Sequence, residues 1–251
     1  MNEKNIRITV DNVSKKFSIG FKEKKGLLAR VLEFVSGVYS EKKELAVLQN
    51  VSFEVKEGEV AGLIGKNGSG KTTLLRIIAG IYQPDLGNVK TNGKVVYLSG
   101  LGQGLSPKLT MRENIFLMGS IMGLGQNDIK KRFNQIVEFS GLKDFTDTKV
   151  LQFSSGMVTR LNFSVTINCL EHHKPEILLL DEVFNAGGDL DFQSKGIEKM
   201  EELIKGGATV IMASHNLEII KKYCNKAILL KNGQAIKIGP SEEVVGEYIK
   251  K

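Results

Sequence analysis

Gly65-Lys66-Asn67-Gly68-Ser69-Gly70-Lys71-Thr72 decides the fold of this 251-residue chain. Glycine, four residues, then Gly-Lys-Thr is the spacing of a phosphate-binding P-loop. The glycines open backbone angles closed to other residues, so that successive N–H groups turn inward on an anion. Lys71 adds a point charge for the outer phosphates, and the Thr72 hydroxyl can hold Mg²⁺. A helix opening near Gly70 aims its positive end at the same oxygens. Working outward, 59–64 reads as a short apolar strand, and 73–79 carries helical apolar spacing that Gly80 closes. Strand, loop and helix together predict a nucleotide held by Gly65, Lys66, Asn67, Gly68, Ser69, Gly70, Lys71, Thr72 and Thr73.

The rest of the chain contains no second P-loop and no internal repeat, so it reads as one nucleotide-binding unit. At 41% hydrophobic it has enough apolar material for a proper core. Residues 1–10 lack the apolar centre of a signal peptide. The run 115–124 is too short and too glycine-rich to cross a bilayer. Cys169 and Cys224 lie far apart, form no metal pair, and fit a reducing compartment. The net charge of +7 is compatible with nucleic acid, anionic lipid headgroups or nucleotide phosphates. It is not concentrated in one block, and Trp is absent. Base-stacking platforms for nucleic acid are therefore not expected, and proximity to an acidic cytoplasmic leaflet is the preferred reading.

Strands are expected at 6–10, 51–55, 60–64, 95–98, 177–180 and 209–213. The unbroken apolar runs 177–180 and 209–213 suit strands buried on both faces of a mostly parallel sheet. From 110 to 170 the pattern is helical, as in a separate subdomain. The pairs 227–230 and 234–238, joined through Asn232-Gly233, read as a hairpin. A last helix, 241–249, is expected to begin with Ser241 as cap and Glu242 and Glu243 in its first turn.

Three further motifs carry chemistry. The buried strand 177–180 delivers Asp181-Glu182. Asp181 suits a metal's ligand shell, and Glu182 suits polarising a water for in-line attack on a γ-phosphate. The strand 209–213 ends at Ser214-His215, and a His just past a strand parallel to the first can reach that phosphate. Phe153-Ser154-Ser155-Gly156-Met157 precedes a helical stretch, 158–170. Small hydroxyl residues and glycine at a helix start form an anion-binding surface, or simply a cap.

Taken in order, these motifs resemble the ABC-type ATPases, over essentially the whole chain. The resemblance implies an α/β fold: a P-loop NTPase with a mostly parallel core sheet, an antiparallel β part and an inserted helical subdomain. It implies one nucleotide-binding domain, 1–251, with core 1–98 and 171–251 and helical part 99–170. Ser154, Ser155, Gly156 and Met157 look like the family's signature segment. Two subunits then pack head to tail, each ATP held between one P-loop and the other signature. Phe17 is the candidate for stacking on adenine, although it serves equally as core. The expected Gln-loop position is occupied by Leu101, with Gln103 displaced beside it. Asp189 falls in the dimer-contact loop. A narrower likeness, to ATPase subunits of polysaccharide exporters, rests on four features. They are 154–157 followed by Arg160-Leu161; Val183 after the acid pair; Gly188-Asp189 with Phe192-Gln193; and 214–218. The long stretch 18–44 agrees with it.

What the resemblance implies is an ATPase using ATP and Mg²⁺ at the cytoplasmic face of the cell membrane. It would work with a membrane-spanning permease to export lipid-linked O-antigen, capsule or teichoic acid, without nucleic acid. Rival readings are export of a drug, peptide or lipid, a soluble non-transport ABC ATPase, and a sensor without turnover. The absence of a second nucleotide domain and the intact Lys71, Asp181, Glu182 and His215 weigh against the last two. The stretch 26–38 reads as an amphipathic helix, either packed on its own domain or interfacial. His172-His173 reads as a solvated connection, because adjacent helical side chains diverge.

Overall fold

The computed structural model describes residues 6–19, 43–99, 104–173, 175–183 and 190–250. The expectations placed on most of 18–44 (the 26–38 helix included), on Leu101 and Gln103, and on Gly188 and Asp189 lie outside the described residues.

In chain order, β1 (Ile6–Ile19) and β2 (Lys43–Lys56) are followed by β3 (Val60–Ile64), α1 (Lys71–Ile78), β4 (Leu86–Thr91) and β5 (Val95–Ser99). Next come α2 (Met111–Ile121), α3 (Gln126–Ser140), α4 (Ser155–His173), β6 (Ile177–Asp181) and α5 (Leu190–Lys205). The chain closes with β7 (Thr209–Ala213), α6 (Leu217–Tyr223), β8 (Lys226–Lys231), β9 (Gln234–Pro240) and α7 (Ser241–Ile249).

The main sheet runs β5-β6-β7-β3-β8-β9, parallel until β9 returns antiparallel from β8. All five residues of β3, β6 and β7 are buried. Those strands need both faces covered, which explains their continuous apolar runs. On one face Ile64, Leu178, Leu180, Val210 and Met212 pack with Phe163, Phe192 and Ile220 from the helices. On the other, Leu63, Leu179 and Ile211 meet α1 and the antiparallel sheet β2-β1-β4. The β8–β9 hairpin turns through Asn232 and Gly233, both at positive φ, as a tight two-residue turn requires.

A third core joins α2, α3 and α4 through Met111, Ile115, Ile129, Ile136, Leu161 and Val165. Thr110 and Glu113 make a reciprocal capping box at the start of α2. Helix α4 serves two cores. Its Leu161, Val165 and Cys169 face the helical core, while Phe163, Ile167 and Leu170 face the sheet. The 170/171 division expected from sequence falls inside this helix.

Two local expectations differ, and one strand was not expected. β1 and β2 run to 14 residues each, far beyond the expected cores 6–10 and 51–55, because they pair with one another beyond their apolar centres. β4 carries no apolar run, since it is a largely exposed strand held by pairing to β1. Ser241 is the first residue of α7 rather than its cap; its hydroxyl donates to the Cys224 carbonyl instead.

Candidate functional site

The P-loop leaves β3 at Gly65, which adopts φ 151°. A Cβ there would stand 2.3 Å from the Leu230 carbonyl of β8, so only glycine lets the loop pass. Gly70, at φ 105°, caps α1, and a Cβ on it would press to 2.7 Å on Leu48 of β2. Glycine is thus demanded twice, for backbone angle and for space. Lys66, Asn67 and Gly68 are exposed at the loop tip, Ser69 is buried, and Thr72 and Thr73 sit half-buried in the first turn of α1.

Lys71 is buried, and its Nζ donates to the Gly65 carbonyl at 2.8 Å and to the Lys66 carbonyl at 3.3 Å. Burial pushes its pKa down, while Glu182 and Asp181 pull it back up. The ammonium therefore sits at the loop with the two acids near enough to act on it.

Asp181 ends β6, beside Ala213 at the end of β7. Its Oδ2 accepts from the Tyr97 hydroxyl at 3.1 Å. Its Oδ1 is buried and without a partner among the described residues, as is Ser69 Oγ. Glu182 is held at φ 57°, a left-handed conformation costing a non-glycine residue about 1–3 kcal/mol. Its amide donates to the Ala213 carbonyl at 3.0 Å, which fixes the turn. Its Oε2 lies 2.7 Å from His215 Nδ1. The structure therefore brings Lys71, Asp181, Glu182 and His215 together at the carboxyl ends of three adjacent parallel strands, where open α/β sheets bind ligands.

Orphaned buried oxygens mark a site short of a ligand. A carboxylate oxygen and a helix-opening hydroxyl, Asp181 Oδ1 and Thr72 Oγ1, are hard oxygen donors of the kind Mg²⁺ takes. Loop amides and Lys71 suit the triphosphate it would accompany.

The remaining candidates lie elsewhere. Ser154 Oγ accepts from the Met157 amide at 3.2 Å, so it caps α4, and Met157 packs on the helical core. These residues share no core with the P-loop. Phe17, half-buried near the end of β1, meets Tyr82 edge-on with centroids 5.6 Å apart, and the Lys15 ammonium lies 5.5 Å from its ring centre. Phe192 is buried against Phe139 and Phe163, with the Arg160 guanidinium 5.6 Å from its ring centre, so it is a packing residue. Sequence reasoning missed Tyr97. Nothing in its spacing reveals it; the parallel register of Tyr97 on Leu179, two residues before Asp181, does.

Among the described residues, no helix is long and apolar enough to cross a membrane. The family model described as ABC transporter matches residues 48–185. The O-antigen export system ATP-binding protein RfbB of Klebsiella pneumoniae is 39% identical over 207 residues, covering 82% of both chains. The teichoic acids export ATP-binding protein TagH of Lactococcus lactis is 35% identical over 250 residues; they make up 52% of that protein's length. Among solved structures, the dimeric post-hydrolysis ATP-binding cassette MJ0796 with ADP and Pi has a similar fold. Its TM-score is 0.69 at 22% identity, over 93% of this chain and 98% of that one. With a family model over more than half its length and a relative at 39% over four-fifths, this chain belongs to the ABC transporter family, as one of its ATPase subunits.

Proposed function

We propose that this chain hydrolyses ATP to drive export of a lipid-linked bacterial polysaccharide such as O-antigen or teichoic acid. The polymer class is supported by the relatives, which belong to O-antigen and teichoic acid export systems. The chemistry rests above all on one observation: Glu182 and His215 stand 2.7 Å apart beside a P-loop lysine. Glu182 accepts a proton from water as that water attacks the γ-phosphorus, and ADP leaves in line. His215 holds the carboxylate in place and presents its ring to the same phosphate. Lys71 and the 65–73 amides bind the β- and γ-oxygens, so catalysis is positioning and electrostatics. Thr72 and Asp181 would hold Mg²⁺, which would supply positive charge for the developing phosphate anion.

Ser154, Ser155, Gly156 and Met157 are read as closing on the nucleotide of a second copy, with Asp189 at the contact and Gln103 near the attacking water. Because they share no core with the P-loop, a second subunit is the natural source of that contact. Phe17 is assigned to adenine. The division into core 1–98 and 171–251 with helical part 99–170 belongs to the same proposal. So do the membrane-spanning permease partner and placement at the cytoplasmic face.

Glu182→Gln tests the mechanism. It should retain ATP while turnover falls by about 100-fold or more. Near-normal phosphate release would remove Glu182 from the role. For the polymer, phosphate release by the permease complex in vesicles should rise on adding lipid-linked glycan and stay flat with the bare lipid carrier.

A further inference from the structure

The two oxygens of Asp181 have unequal surroundings. Oδ2 accepts from the Tyr97 hydroxyl at 3.1 Å, and Oδ1 is buried with no partner among the described residues. Tyr97 projects from β5 onto the α1 face of the sheet, the face Leu179 also occupies. From there its ring reaches along the neighbouring strand to Asp181. Arg76 of α1 donates from its guanidinium to the Tyr82 hydroxyl at 3.2 Å, and it stands close enough to Tyr97 for the phenol to raise its pKa. Tyr82 meets Phe17 edge-on, so the ring supporting Arg76 is itself packed. Phe17, Tyr82 and Arg76 thus form one packed group behind the P-loop helix, and Tyr97 bonded to Asp181 forms the next.

We propose that Tyr97 is a positioning residue: by donating to Oδ2 it fixes the Asp181 carboxylate so that Oδ1 faces the divalent cation. The proposal rests on the reading of Asp181 as a metal-binding acid. A carboxylate ligand without its outer partner rotates freely, and the entropy of fixing it is then lost on binding. Outer partners of metal ligands are worth about 10- to 100-fold in metal affinity.

Mn²⁺ is the probe, followed by electron paramagnetic resonance on the full chain with ADP, so that no turnover intervenes. Tyr97→Phe keeps the ring and deletes only the hydroxyl. It should weaken Mn²⁺ binding about tenfold, while ADP affinity measured in EDTA stays at the parent value; the thermal midpoint of the nucleotide-free protein falls only by what one lost hydrogen bond costs. A merely structural role would weaken Mn²⁺ and metal-free ADP binding together, and that result would overturn the proposal. Asp181→Asn separates the two levels of inference. If it loses Mn²⁺ while Tyr97→Phe binds Mn²⁺ like the parent, Tyr97 has no positioning role and the metal reading stands. If Asp181→Asn binds Mn²⁺ unchanged, the metal reading itself fails, and this proposal with it.

Discussion

Single residues at the site carry charge that the fold has taken out of water. Lys71 is a buried ammonium satisfied by two carbonyls and nearby acids. Replacing it by the apolar near-isostere in Lys71→Met removes a desolvated charge along with its hydrogen bonds. The nucleotide-free protein should therefore unfold within about 1 kcal/mol of the parent in denaturant titrations. ATP at 100 times Kd stabilises the parent by about 2.7 kcal/mol, and the variant should lose that gain. The buried thiols give a pH signature. Burial pushes Cys169 from 9.0 up to about 11 and Cys224 up to about 12. A thiol raised in the folded state lends stability that is complete below the unfolded value of 9.0 and lost as pH climbs through the folded values. The denaturation midpoint should fall between pH 9 and 12, less steeply in a Cys169→Ser, Cys224→Ala double variant. Alkylation at pH 8 should be slow until the chain is unfolded. Asp181, Glu182 and His215 were legible because each follows an apolar run that had to be a central strand. Tyr97 was not, since its meaning arises only when β5 and β6 are in register.

Secondary-structure elements were legible in proportion to how much of each is buried. β3 and β7 were placed to the residue because their fully buried runs have sharp ends. β4 was missed because pairing, not hydrophobicity, holds it. Helix α4 starts three residues before its expected span, since Ser155 and Gly156 give no apolar signal and Ser154 caps the helix ahead of them. The link into α2 depends on one side chain that spacing also hides. Asn114 is fully buried; its Oδ1 accepts from the Ser106 amide at 2.7 Å, and its Nδ2 donates to the carbonyls of Ser106, Leu109 and Thr110. Asn114→Ala leaves the Ser106 amide unpaired, while the three carbonyls keep their backbone donors; it should cost about 1–3 kcal/mol of unfolding free energy. Hydrogen exchange at the Ser106 amide should accelerate as well. An unchanged rate there would mean the link does not depend on Asn114.

At the scale of the whole molecule, one helix belongs to two hydrophobic cores. The aromatic trio Phe139, Phe163 and Phe192 draws α3, α4 and α5 together at their junction. Phe163→Ala would open that junction and should cost about 3–5 kcal/mol, a loss readable in urea titrations. The sequence showed that a helical block interrupts the sheet, but not that the block's last helix would be shared. A shared helix shows no period of its own when both faces are apolar, so no hydrophobic pattern marks its two-sided role. Melting either core would strip apolar cover from the other. Scanning calorimetry should accordingly trace a single heat-absorption peak, not a pair, because the α4 rod is an axle common to both halves of the machine, and neither half can let go of it alone.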